Sequence, residues 1–238
     1  MELGTRQVAE FLNISEKKLY QWIERKKLPA IRVGAQYRIN KARLIEWAIS
    51  NKIRLSPAIF TDDEPLMTDI PRLDETLERG GVHSGVPGSD IPSVLASVIE
   101  RMPFPNDVDR DYVLQMLLAR ESMGSTGIGN GIAIPHVRNP IIMHISQPVI
   151  SLCYLETPIA FNALDGKPVH TLFTIVSPSP ATHIHLLSRL SYALRNPVFM
   201  EKIVGKADEE AVIQAAADIE NSLAEAAKTP ASPKGGQP

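Results

Sequence analysis

At 238 residues, 44% apolar and 22% charged, the chain has material for one large or two modest globular domains, and no run of about 18 apolar residues offers a membrane span. The single cysteine, Cys153, excludes an internal disulfide, and no Cys/His spacing suits a zinc site. The net charge of −2 hides a split: residues 1–54 carry 12 Lys and Arg against 5 Asp and Glu, or +7, which leaves −9 for the rest; this points to two domains, the first with a polyanionic partner.

The opening M-E-L-G-T-R-Q lacks a basic start followed by an apolar stretch, so no secretory signal and a cytoplasmic protein are expected. Thr5–Leu12 reads as a short amphipathic helix with Thr5 as N-cap and Val8, Phe11 and Leu12 on one face. After a turn at Asn13-Ile14, Ser15 caps a second helix with Leu19, Trp22 and Ile23 inward. Lys17, Lys18, Gln21, Arg25, Lys26 and Lys27 occupy its other faces, and Leu28-Pro29 stops it. Ile31-Arg32-Val33 and Tyr37-Arg38-Ile39 alternate around Gly34-Ala35-Gln36, a β-hairpin pattern. A third helix runs from Lys41 to Ile49. Tyr20, Trp22, Tyr37 and Trp47 are read as core residues.

Residues 54–67 lack periodicity, carry two prolines and an acidic cluster, and read as a linker between a first domain at 1–53 and a second at 68–227. In the second domain, helices are expected at Leu73–Arg79, Ile91–Met102, Asp109–Glu121, Thr182–Leu194, Val198–Val204 and Asp208–Ala227. Strands are expected at Val82–Val86, Gly131–Ile134, Pro148–Leu155 and Val169–Val176. Alternating strands and helices make this an α/β sandwich with a mixed sheet flanked by helices. Cys153, in an apolar strand-like run, reads as a buried inert thiol. Residues 228–238, small, polar and proline-rich, read as a disordered tail.

From the end of the third of these helices through the strand after it runs R-E-S-M-G-S-T-G-I-G-N-G-I-A-I-P-H-V-R, Arg120 to Arg138. Four glycines fall within eight positions, Gly124, Gly127, Gly129 and Gly131, with Ser125 and Thr126 among them. Glycines permit tight turns and close approach to a ligand, and successive loop N–H groups can form an anion-binding concavity. His136 at its rim is a candidate nucleophile, since a neutral imidazole has a lone pair to give.

The order helix, short turn, helix, basic hairpin, together with T-x-x-V-A-E-F-L-x-I-S, L-Y-Q-W-I-E-R-K-K-L-P and R-V-G-x-Q-Y-R-I, resembles the excisionase-type (MerR-related) winged helix-turn-helix over residues 1 to about 52. The resemblance implies a small, mostly α domain whose second helix enters the DNA major groove while the hairpin acts as a wing. Lys17, Lys18 and Gln21 are then the helix contact candidates, and Arg32 and Arg38 the wing candidates. Each taken singly reads equally well as a solvated side chain. A homodimer would suit paired half-sites, although no coiled-coil segment calls for one.

R-E-x-x-G-S-T-G-I-G-x-G-I-A-I-P-H-x-R is similar to the EIIA domain of the bacterial phosphoenolpyruvate-dependent phosphotransferase system, fructose/mannitol/nitrogen-regulatory type, over roughly residues 68–225. The resemblance makes His136 the phosphoryl acceptor and an HPr-like phosphocarrier the donor. The group then either passes to an EIIB domain or serves as a regulatory flag. It also makes Arg120, of the R-E element, a partner of the site. His183, opening H-I-H-L-L-S-R-L, matches a second family histidine. Arg120 could supply a guanidinium to the phosphoryl oxygens, His183 a hydrogen bond, and the loop at Ser125, Thr126, Gly127, Gly129 and Gly131 the pocket wall. No metal or cofactor is then required, the phosphoryl group being carried on His136. Structural alternatives are a surface salt bridge of Arg120 with Glu121 and a helix-end role for His183. His185, about 200° further around the helix, cannot share the site with His183. His170 reads as structural, His83 and His144 have no special context, and Arg138 meets either the carrier or solvent. Three readings stay open. One is a nitrogen-regulatory-type EIIA phosphoacceptor and regulator coupled to a DNA-binding domain. Another is a phosphocarrier serving an EIIB component, and the third a DNA-binding protein with an inactive EIIA domain.

Overall fold

A computed structural model describes residues 2–25, 28–33, 36–51, 53–56, 59, 71–137 and 147–228. Most of the linker, the tail, Lys26, Lys27, the hairpin tip at Gly34-Ala35, Arg138 and His144 lie outside the described residues.

The first domain opens with a strand, β1 (Glu2–Gly4), that the short leading segment does not announce. Helix α1 (Thr5–Leu12) follows, with Gly4 rather than Thr5 as its N-cap; the Gln7 side chain accepts from the Gly4 N–H at 3.0 Å. Asn13, in the left-handed region at φ 53, ends it. Ser15 caps α2 (Glu16–Glu24) by accepting from the Lys18 N–H. β2 (Ile31–Val33) and β3 (Gln36–Asn40) form the hairpin, and β1 adds antiparallel to β3, giving the order β1-β3-β2. Helix α3 (Lys41–Ser50) closes the domain. Trp22 and Trp47 pack at 5.5 Å between α2 and α3. Tyr20 departs from the core reading: it is 39% exposed, its ring edge-on to Tyr37 at 6.0 Å.

The second domain contains α4 (Leu73–Gly80), β4 (Val82–Val86), α5 (Ile91–Arg101) and α6 (Arg110–Ser122). Then come β5 (Gly127–Gly129), β6 (Ile132–Ala133), β7 (Val149–Ile159) and β8 (Val169–Val176). α7 (Pro180–Ala193), α8 (Pro197–Val204) and α9 (Glu209–Lys228) complete it. The strands form one mixed sheet, β4-β7-β8-β6-β5, parallel at β4–β7 and β6–β8 and antiparallel at β7–β8 and β5–β6. β7 and β8 are buried on both faces. Ile150, Leu152, Tyr154, Phe173 and Ile175 meet Leu186, Leu187 and Leu190 of α7 on one side. Cys153, Leu155, Leu172 and Val176 meet Val94, Leu95 and Val98 of α5 and Val113 and Leu117 of α6 on the other. Each such leucine or phenylalanine contributes roughly 1.5–3 kcal/mol by leaving water. Burial also pushes the Cys153 thiol up to about 12.

The first of these cores does not stop at the domain boundary. Leu44, Ile45 and Ile49 of α3, with Leu55 and Ile59, belong to the same buried apolar cluster as Ile134, Leu187 and Leu190. Arg195, just beyond α7, donates from Nη2 to the Ile53 carbonyl across this seam. No helix among the described residues is long and apolar enough to cross a membrane.

Candidate phosphoryl-acceptor site

The site is assembled by α6, the turn after it, β6 and α7. Asp109 caps α6 by accepting from the Tyr112 N–H at 2.9 Å, and this helix carries Arg120 in its last turn. There Arg120 Nη1 donates to the Gly124 carbonyl at 2.9 Å, an orphan acceptor just past the helix end. Arg120 Nε is left pointing at His136 and donates to its Nε2 at 3.2 Å. Glu121 does not pair with Arg120. Its carboxylate accepts from the Thr126 N–H at 3.0 Å and the Thr126 hydroxyl at 2.6 Å.

β6 brings His136 to the same place. Beyond Ala133 the chain stays extended, the Ile175 N–H donating to the Pro135 carbonyl at 2.9 Å and His136 forming a bridge with Ile175. His136 Nδ1 lies 2.8 Å from the Ile134 carbonyl. A carbonyl oxygen only accepts, so Nδ1 carries the proton, and Nε2 turns its lone pair toward Arg120. Nε2 is thus the ring nitrogen with a lone pair to give, a point that residue order cannot supply.

α7 supplies the second histidine. Ser179 caps it by accepting from the Thr182 N–H at 3.1 Å. His183 follows in the N-terminal turns, where the helix dipole is positive. Its ring lies 4.9 Å from the His136 ring, at 32°. Arg120, His136 and His183 are therefore brought together. His185, also buried, is not the histidine stacked there.

The glycine loop is not an open anion nest. Ser125 and Thr126 line the cavity at His136, but Gly127, Gly129 and Gly131 do not. The Gly127 N–H donates to Ser125 Oγ at 3.0 Å, and the Asn130 N–H donates to Asp165 at 2.8 Å. Gly127 and Gly129 pair as β5, where a Cβ on Gly127 would strike Ala163. At Gly131, φ is 74 and a Cβ would strike the His170 ring. These glycines allow close strand packing that aims β6. His170 is accordingly a packing residue, its pKa lowered by burial and then by Lys206.

The cavity at His136 is about 20 Å³, lined by Arg120, Ser125, Thr126, Leu187 and, from the first domain, Ile49. His136 and His183 are each 3% exposed. Ile49 had no signal in the sequence beyond its place in an amphipathic helix.

On the first domain, Lys17, Lys18, Gln21 and Arg32 are exposed and Arg38 is half-exposed. Lys18 Nζ lies 5.4 Å above the Trp22 ring, and Arg38 donates to the Gln36 side chain at 3.1 Å. Helix and wing thus present their cations outward.

A mixed sheet sandwiched by helices, with a histidine held in one tautomer beside an arginine and a second histidine, defines an EIIA-type domain behind a helix-turn-helix. The chain belongs to the family described as phosphoenolpyruvate-dependent sugar phosphotransferase system, EIIA 2, whose model matches residues 77–218, and a helix-turn-helix domain model matches residues 2–52. It is 35% identical over 156 residues to a nitrogen regulatory protein of Pseudomonas aeruginosa, covering 63% of this chain and 97% of that one. It is 39% identical over 116 residues to the nitrogen regulatory protein of Escherichia coli K12, covering 48% and 70%. Among solved structures, the nitrogen regulatory protein IIA-Ntr of Neisseria meningitidis matches with TM-score 0.52 and 28% identity, over 60% of this chain and 98% of that one.

Proposed function

We propose that this chain is a nitrogen-regulatory-type EIIA regulator, phosphorylated on His136 by an HPr-like phosphocarrier, whose state is passed to a DNA-binding winged helix. The observation that carries the reading is the pair of contacts on His136. The Ile134 carbonyl holds the Nδ1 proton, and Arg120 Nε faces the Nε2 lone pair.

Nε2 attacks the phosphorus of the carrier's phosphohistidine. The new N–P bond forms at His136 while the carrier's N–P bond breaks, and the carrier nitrogen keeps the electron pair. The Nδ1 proton stays on His136, so the phosphorylated ring shares its positive charge with the Ile134 carbonyl. Arg120 stabilises the equatorial oxygens as charge spreads over them, and His183 donates to the same group, a role supported by its ring lying 4.9 Å from that of His136. The names of the relatives support a regulatory role. The basic first domain with its outward cations supports DNA as the output.

The test is phosphotransfer from phosphoenolpyruvate through the general enzyme and carrier to wild type and His136→Ala. Label on wild type that is absent from the variant supports the acceptor. Label that is retained, and does not turn over onto an added EIIB, supports the regulator over a sugar-transport relay. No label on wild type, beside a labelled control EIIA, would move the reading to an EIIA fold kept for binding alone.

A further inference from the structure

We infer that helix α3 of the winged-helix domain and the phosphocarrier compete for the single face that carries His136, so that phosphoryl transfer requires the winged helix to undock. The inference rests on the reading of His136 as acceptor.

Space at His136 is the first constraint. The carrier must present its phosphohistidine to Nε2, and the product must hold three phosphoryl oxygens there. The cavity beside Nε2 is about 20 Å³. A water needs roughly 10–15 Å³ by this measure, so one water fits and a phosphoryl group does not. The wall that makes it so small is partly Ile49, from a different domain. The remaining lining belongs to the EIIA domain itself, and its contacts hold the catalytic geometry. Ile49 is the removable part.

The chemistry of that wall points the same way. Ile49 is 9% exposed and lies in one apolar cluster with Ile134 and Leu187. In the unphosphorylated protein the docked Ile49 has apolar neighbours in Ile134 and Leu187. A phosphoryl group brings a charge of about −1.5 to −2. On the Ile49 side its oxygens would meet an apolar side chain with no donor to offer, so those facing that wall stay unpaired for as long as α3 is docked. Transfer and docking therefore oppose each other in both directions, as linkage requires.

The seam is also poised to open. Beside Ile49 lies a second cavity of about 290 Å³, flanked by Arg54 and Arg195. The Arg195 pKa is lowered by burial and then by Arg54, so two like charges face the same gap. Against this repulsion stand Ile49 and the other first-domain members of the shared apolar cluster, with the Arg195 bond to the Ile53 carbonyl.

The experiment measures single-turnover phosphotransfer from the carrier to the full chain, as wild type, Ile49→Asp and Ile49→Ala. The first variant puts a carboxylate into the apolar contact, and the second trims that contact while leaving Arg54 and Arg195 in place. If wild type is mostly docked, its apparent rate is reduced by the undocked fraction, so both variants should accept phosphate about 10-fold faster or more. Phosphorylated wild type should also show faster amide exchange in Lys41–Ser50 than the unphosphorylated protein. Equal rates for all three proteins, with unchanged exchange, would overturn the competition while leaving His136 as acceptor. No label on any of them, either from the carrier or from phosphoramidate as a small donor, would instead overturn the acceptor reading.

Discussion

Arg120 Nε donates to His136 Nε2 across 3.2 Å, while the same guanidinium holds the Gly124 carbonyl at 2.9 Å. One planar fork thus fixes both the end of α6 and His136 Nε2, the proposed nucleophile. Lysine, a single-point cation, cannot reproduce two divergent contacts. Arg120→Lys should retain the fold and lose phosphotransfer by about 10²-fold, the usual cost of removing one preorganised donor. Single-turnover rates with a parallel melting curve would check this; a variant that transfers at the wild-type rate would mean that Arg120 only closes the helix.

His183 stacks 4.9 Å from His136 and is proposed to donate to the phosphoryl group. A hydrogen bond to a charged group is worth about 1.5–3 kcal/mol, so His183→Ala should slow transfer by roughly 10- to 100-fold. His183→Gln, which keeps a donor, should recover part of the loss. Identical rates for the two variants would assign His183 to packing alone.

Glu121 secures the loop from beneath, accepting from both the backbone and the hydroxyl of Thr126. Glu121→Gln replaces a charged acceptor with a neutral one and should cost about 1–3 kcal/mol of stability. Because Ser125 and Thr126 line the cavity, transfer should fall as well. Urea unfolding and the transfer rate should therefore move together; a loss confined to one would separate the loop from the site.

Cys153 is fully buried, and burial raises its thiol pKa from 9.0 to about 12. The thiol is neutral in both states below pH 9.0, so its contribution to stability is fully present there. Between pH 9.0 and about 12 the unfolded chain ionises and the folded one does not, so stability falls as pH rises through that window. Cys153→Ser or Cys153→Ala should flatten this alkaline decline. A thiol reagent at pH 8 should react only after denaturant is added, and rapid reaction of the native chain would contradict the burial.

Most elements were legible because their signals are local. The apolar periodicity of α5 and α7, the Ser15 cap and the alternating hairpin each declare themselves within a few residues. β1 and β5 were not legible, since three residues carry no periodicity and their pairing depends on partners distant in the chain. His136 and its neighbours Arg120 and His183 were marked by the motif, but their contacts in detail were not. The Nδ1 proton is assigned by a carbonyl, which every residue has. Glu121 reads as a partner for Arg120 until the turn swings it onto Thr126. The loop glycines read as an anion nest, although close packing against Ala163 and His170 explains Gly127 and Gly131. Ile49 was the least legible, because its importance comes from contact with a second domain.

The claim on which the account turns is that the state of His136 is felt at the DNA-binding domain. The most direct measurement is the affinity of the full chain for a mixed-sequence DNA duplex at low salt, with and without phosphorylation through the carrier, for wild type and His136→Ala. Phosphorylation is expected to shift the wild-type affinity by about 5-fold or more, the range of typical coupling energies, and to leave the variant unmoved. Equal affinity of phosphorylated and unphosphorylated wild type would contradict it.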